Sequence, residues 1–254
     1  MYLPIEYNLK SLLVRRISTL LTLVGIVLVV VIFVVVMGLA HVLRQVFTAT
    51  GSHDNLLFVR AGAANPMVSR LGEDALDRLR YLPEVAADEA GRPLLSAEIV
   101  EYYHLGLERV TVAVRGVEPM AFAVRRGVEV VAGRAPARLS EKALIGAGLA
   151  QETGLGLGNT VKLGRTTWTV VGLLRAPGSA YESEVWTDRL SLMRDRQRDD
   201  FNYVIARVRA ADLAVAHELE HRWENDPALG VRIMVETDYY RALSSSSDTF
   251  ATAS

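Results

Sequence analysis

Residues Leu20 to Ala40 read LLTLVGIVLVVVIFVVVMGLA, and this run constrains the chain more than any other feature. Between Ile17 and Leu43 the only ionisable side chain is His41. A bilayer core about 30 Å thick is crossed by about 20 apolar helical residues, so the run is long enough to span. Valine and isoleucine weaken a helix in water. In lipid the backbone must satisfy its own hydrogen bonds, and that requirement imposes helix. A cleaved signal peptide carries an apolar stretch of about 7–15 residues, which this one exceeds. Lys10, Arg15 and Arg16 precede the run and only Arg44 follows closely. The positive-inside rule then puts the N-terminus in the cytoplasm and everything after about residue 44 outside. Ahead of the span, Ile5, Leu9, Leu12 and Leu13 recur at helical spacing within IEYNLKSLLVRR. They read either as an amphipathic lead helix on the inner membrane face or as the start of the span itself.

The remaining residues have the composition of an ordinary globular region. The chain is 254 residues long, carries a formal net charge of −1 and contains no cysteine. Disulfides and thiolate metal sites are therefore excluded, and near-neutral charge offers no footprint for nucleic acid. NLLFVRAG (Asn55 to Gly62) reads as a strand. EDALDRLRYL (Glu73 to Leu82) has helical periodicity that Pro83 stops. LLSAEIVEYY and ERVTVAVRGV read as strands, the second alternating through Val110, Val112 and Val114. Near the end, NYVIARVR is strand-like, AADLAVAHELEHRWEND is helical and GVRIMVE is strand-like. Short connections between them predict a split βαβ layer with helices on one face of a small sheet.

Between these ends lies a glycine-rich middle, VVAGRAPARLSEKALIGAGLAQETGLGLGNTVKLGRTTWTVVGLLRAPGS. Gly154, Gly156 and Gly158 do not form G-x-G-x-x-G, and no G-K-[ST] follows, so no nucleotide site is encoded. Turn chemistry accounts for the glycines better. Gly158-Asn159 ends a helix and opens a strand, and Gly164 turns TVKL back into TTWTVVGLL as a hairpin.

The segment NLKSLLVRRISTLLTLVGIVLVVVIFVVVMGL, with its R-R-x-x-T-x-x-T-x-x-G lead into the span, resembles the start of ABC-transporter permeases of the MacB/FtsX/LolC type. Matching stretches continue through LPEVAADEAGRPL, VRGVEPMAF, VVAGRAP, KALIGAGLAQETGLGLGNTVKLGRTTWTVVGLL and YESEVWTDRLSLM, covering Asn8 to about Leu243. The resemblance implies an α+β fold: one N-terminal transmembrane helix, then an extracytoplasmic domain. That domain would combine a porter-like split βαβ subdomain, built from its two ends, with an inserted mostly-β subdomain. The expected boundaries are a lead helix over 1–18, the span over 19–43 and a core domain over 44–243. The insertion would cover about 120–198, and 244–254 would lead toward a second span. The family has four membrane helices, and helices two to four and the coupling loop are not in this sequence, which would make it a fragment or a truncated product.

What the resemblance implies about function is mechanical. A separate cytoplasmic ATPase would bind and hydrolyse ATP, so this chain needs no cofactor and is not expected to be an enzyme. Lys10, Arg15 and Arg16 would lie on the ATPase side. The other implied partners are a second permease subunit, a periplasmic accessory or membrane-fusion protein, and the lipid of the bacterial inner membrane.

One motif competes with that reading. HELEH, His217 to His221, matches the H-E-x-x-H zinc-protease signature. On a helix, Leu213, Ala216, Leu219, Glu220 and Trp223 form the packed stripe, with His217 and His221 on its flank beside Glu224 and Glu218 pointing further out. A zincin needs a third ligand and an open water position. No third histidine follows, and Glu236, the one acid at conceivable distance, sits at the end of a strand-like run. His217, Glu218 and His221 are accordingly expected to be a solvated helix flank rather than a metal site. His41, His53 and His104 have no partners at ligand spacing. MRDRQRDD (Met193 to Asp200) reads as a solvated helix end, and Tyr102, Tyr103, Tyr239 and Tyr240 as packing or interface aromatics. A membrane-anchored sensor domain, which shares the span-then-α/β layout, and a tethered zinc peptidase stay open as alternatives.

Overall fold

The computed structural model describes residues 16–106 and 110–243. The expected lead helix falls mostly on residues 1–15, and the serine-rich run on 244–254; both lie outside the described residues. The chain divides into two compact units, Met1–Gln45 and Val46–Ser254.

The described residues of the first unit lie in helix α1 (Arg16–Thr50), whose Arg16–Leu39 portion is long and apolar enough to cross a bilayer. Its Val, Leu and Ile side chains over 20–39 face outward all round. An all-round apolar surface of this kind needs lipid or protein to cover it. Thr22 Oγ1 donates to the Ser18 carbonyl oxygen at 2.9 Å, returning a polar side chain to its own helix.

The second unit is built on a ten-stranded sheet in the order β10-β1-β9-β2-β3-β8-β5-β7-β4, with β6 added on β7. Its first part uses the two ends of the domain: β1 (Asn55–Arg60), α2 (Glu73–Arg80), β2 (Leu95–Leu105), then β9 (Tyr203–Arg207), α6 (Leu213–Glu224) and β10 (Val231–Val235). β1 pairs antiparallel with both β9 and β10, and β9 pairs antiparallel with β2. Each βαβ unit is thus split by a strand of the other, the ferredoxin-like pattern, and the sequence-based split βαβ layer is observed.

The intervening elements are β3 (Val110–Val117), α3 (Ala121–Val124), β4 (Glu129–Gly133), β5 (Lys142–Gly146), α4 (Ala147–Thr153), β6 (Thr160–Leu163), β7 (Thr166–Arg175), β8 (Glu184–Asp188) and α5 (Arg189–Arg196). Strand β2 joins the two parts. Leu95–Glu98 pair with β9, whereas Ile99–Leu105 pair with β3.

Alternation along the strands makes two faces. Leu56, Phe58, Leu95, Ala97, Ile99, Val204 and Ala206 point into the main core under α2 and α6. There Trp223 of α6 packs on Phe58 with ring centroids 5.9 Å apart. Leu57, Val59, Tyr203 and Ile205 point to the opposite face, where α3 and the helical stretch 236–243 contribute Val124 and Tyr239. The stripe expected on α6 is observed, since Ala216, Leu219 and Trp223 are its buried residues. Gly164 does turn β6 into β7, with φ +67°.

The solvated end expected at Met193–Asp200 needs a correction. Arg194 and Arg196 are exposed, but Asp195 is buried. It accepts from Tyr103 Oη at 2.7 Å and from the Arg165 amide at 2.8 Å, pinning α5 to the β6–β7 hairpin. Tyr102 is exposed, whereas Tyr103 and Tyr240 are buried.

Candidate functional site

On the face opposite α2 and α6, charged side chains are buried where a half-covered sheet would ordinarily place aliphatic ones. Glu98 of β2, Arg115 of β3, Arg125 just after α3, Glu184 of β8 and Glu236 just after β10 are all shielded from solvent. Burial of charge is costly unless every group is paired and hydrogen-bonded, so the pairing decides what this cluster is.

Arg125 closes a two-pronged ion pair on Glu98 through Nη1 and through Nη2, the latter at 2.8 Å. Its Nε donates to Tyr181 Oη at 2.9 Å. Arg115 reaches three elements: Nη1 donates to Glu98 at 3.1 Å and to Tyr203, while Nε and Nη2 grip Glu184 at 2.7 and 2.6 Å. Tyr203 Oη donates to Glu98 at 2.9 Å, and Trp186 Nε1 to Glu184 at 2.8 Å. Both guanidinium carbons lie over the rings of Tyr181 and Trp186 at 5.2–5.8 Å, so π-faces cover cations that water would otherwise solvate.

Two guanidinium groups here face three carboxylates, and the odd one is Glu236. Its Oε1 stands 3.9 Å from Arg125 Nε and accepts from Tyr181 Oη at 3.1 Å. Its Oε2 accepts from the Ser52 amide at 3.0 Å and from Asn55 Nδ2 at 2.8 Å. Burial pushes the Glu236 carboxyl above the usual carboxylate range, against the pull of Arg125 and these hydrogen bonds. Glu98 goes the other way. Burial opposes its ionisation too, but Arg125 and Arg115 outweigh that and hold its carboxyl below the usual range. Beside Glu236 lies a polar cavity of 240 Å³ lined by Thr50 to Ser52, Arg125 to Val128 and Tyr181 among others.

With its guanidinium donors committed to carboxylates and hydroxyls, this cluster has the chemistry of a fastener rather than of a reaction centre. It joins β2, β3, β8 and β9 to the chain segments beside α1 and beyond β10. The sequence carried a faint sign of it. Arg115 interrupts VTVAVRGV, and Glu98 interrupts LLSAEIV, each an ionic residue inside an otherwise apolar strand.

The candidate residues named from the sequence fall elsewhere. His217 Nε2 lies 2.6 Å from Asp238 Oδ2, and the other carboxylate oxygen of Asp238, Oδ1, pairs with Arg241. The acid that meets His217 is therefore Asp238 and not Glu236, which faces the buried cluster. Glu218 is exposed and pairs with Arg222 at 3.2 Å. His221 offers its carbonyl oxygen to the Asn225 cap. Among the described residues, no three His, Asp or Glu side chains gather as a metal site would require. Of the three cations expected on the ATPase side, Arg16 opens α1, and Lys10 and Arg15 lie outside the described residues.

Residues 19–222 match the MacB-like periplasmic core domain family, and the chain belongs to that family. Two solved structures share its fold. The periplasmic region of MacB from Actinobacillus actinomycetemcomitans has a TM-score of 0.55 at 11% identity, over 77% of this chain and 94% of that one. The extracellular domain of the noncanonic ABC-type transporter YknZ from Gram-positive bacteria has a TM-score of 0.50 at 17% identity, over 71% of this chain and 98% of that one. Comparison with curated proteins finds no match in sequence. An N-terminal apolar helix followed by this domain fits a permease of the MacB/FtsX type, a membrane-anchored protein with a permease-type role.

Proposed function

We propose that this chain belongs to the permease subunit of an ABC transporter and transmits, to its extracytoplasmic domain, movement driven by ATP hydrolysis in a separate cytoplasmic ATPase. The observation that carries this reading is the direct succession of a membrane-length helix, Arg16–Leu39, and a MacB-like core domain. In this reading the membrane is the bacterial inner membrane and the N-terminus is cytoplasmic, an orientation that the cations at positions 10, 15 and 16 support by the positive-inside rule. ATP is held by the ATPase and this chain is not an enzyme. A second permease subunit completes the transporter, and an accessory or membrane-fusion protein meets the extracytoplasmic face. The work belongs to export, efflux or envelope handling.

Purification of the full-length protein from its native membrane tests this directly. The expected result is co-purification of an ATPase, with the ATPase lost from Lys10→Glu/Arg15→Glu/Arg16→Glu while the domain's thermal transition is unchanged. Recovery of a histidine kinase in place of an ATPase would favour the sensor reading, and zinc-dependent proteolysis abolished by His217→Ala and Glu218→Ala the peptidase.

A further inference from the structure

The segment that leads from α1 into the domain and the segment that leaves it after β10 meet at one residue. Incoming Ser52 and Asn55 donate to Glu236 Oε2 at 3.0 and 2.8 Å. Just before them, a Cβ placed on Gly51 would stand 3.0 Å from the Glu236 carbonyl oxygen and from Thr237 N and Cα. The two backbones therefore approach so closely that a side chain at position 51 would have to push its neighbours aside by a few tenths of an ångström. Thr50 adds a third tie, its hydroxyl accepting from the Ala180 amide at 3.0 Å. From the other carboxylate oxygen of Glu236, Tyr181 and Arg125 lead to Glu98 on the strand that joins both parts of the sheet.

We propose that Glu236 is a positioning residue that clasps the incoming segment, residues 50–55, to the outgoing segment, residues 236–243, so that the two move as one body and pass that movement through Arg125 into β2. The clasp rests on the geometry; its use in transmission rests on the permease reading above. A fastener of this kind suits the task because a carboxylate accepts from several donors at once, which ties separate segments to a single point. His217 and Asp238 then tie the same outgoing segment to α6, giving the HELEH motif a place in the device without a metal.

Residues 1–254 contain no cysteine, so spin labels go at His53→Cys and Leu243→Cys, in the full-length protein with any other cysteine replaced by serine, in lipid nanodiscs without ATPase. The unsubstituted background and Glu236→Gln, which keeps an acceptor oxygen, are expected to give one narrow distance distribution. Glu236→Leu and, separately, Gly51→Val are expected to broaden it roughly twofold, because released segments are held by local contacts alone. Thermal melts identify variants that fold. If Glu236→Leu does not fold, Gly51→Val and Tyr181→Phe, which removes one hydroxyl donor, carry the test. A folded Glu236→Leu or Gly51→Val variant that keeps the narrow distribution would overturn the clasp, as would a glutamine variant as broad as the leucine one. Because no ATPase is present, such a failure leaves the permease reading standing, and failure to recover an ATPase from native membranes leaves the clasp standing.

Discussion

Glu98 and Arg125 show how much can depend on a single buried pair. Arg125→Met keeps the aliphatic stem but leaves Glu98 with only Arg115 and the Tyr203 hydroxyl, and removing one partner of a buried pair costs about 3–5 kcal/mol. Arg222→Ala, at the exposed pair with Glu84 and Glu218, is expected to cost about 0–1 kcal/mol. Chemical denaturation of the two variants checks the contrast. Of the three buried carboxylates, Glu98 and Glu236 give opposite pH dependences. Glu98 titrates below its unfolded value, so its contribution is present above the usual carboxylate range and is lost as pH falls through its lowered folded pKa. Glu236 titrates above its unfolded value, so its contribution is full at acid pH and is lost as pH rises through its folded pKa. The groups facing it are Arg125, Tyr181, Tyr240, Asn55 and the Ser52 amide, with Arg207 beyond. Glu236→Gln should therefore melt above the parent at neutral pH, and the two melting curves should converge on acidification. Melting temperatures that stay equal across that range would contradict the assignment. None of these partnerships is legible from spacing. The sequence separation between Glu98 and Arg125, or between Asn55 and Glu236, is bridged only by the fold.

At the scale of elements, periodicity carried much further. The alternation of Val110, Val112 and Val114 and the stripe of Ala216, Leu219 and Trp223 are local patterns, and both gave the correct faces. The hairpin at Gly164 was legible too, but its reason was only half visible. Besides its φ of +67°, a Cβ there would stand 2.3 Å from Asp195 Oδ2 and 2.5 Å from Tyr103. Gly164→Ala is therefore expected to cost about 1–3 kcal/mol from backbone strain, with displacement of the Asp195 contact besides. Loss of the Tyr103–Asp195 hydrogen bond should show in the tyrosine absorption spectrum. The same buried Asp195 explains why the mixed-charge run near it misled. Alternating sign suggests solvent, yet one aspartate reaches a tyrosine hydroxyl and a backbone amide donated by the neighbouring hairpin. HELEH reads as a helix flank rather than a metal site, but its partner on the outgoing segment is not legible in the sequence. Its spacing suits a metal, but the phase of α6 turns His217 toward Asp238 on the outgoing segment.

For the whole molecule, the apolar run of α1 and the order of motifs from Asn8 to about Leu243 were enough to indicate the family, and the split βαβ layer with its inserted strands is the fold they implied. What the sequence left unwritten is how the inserted part is fastened to the rest, because that fastening consists of charges brought together from β2, β3, β8 and the turn after α3. In the proposed permease, the domain responds to ATP as a connected body. The most direct test of the proposed transmission places spin labels at Tyr102, an exposed residue on β2, after substitution with cysteine, in a reconstituted complex of two such chains with the proposed partner ATPase. Trapping the ATPase in its ATP-bound state is expected to shift the distance between the two labels, and a hydrolysis-deficient ATPase is expected to prevent the return. A distance that stays fixed while the ATPase completes its cycle would contradict transmission through this domain.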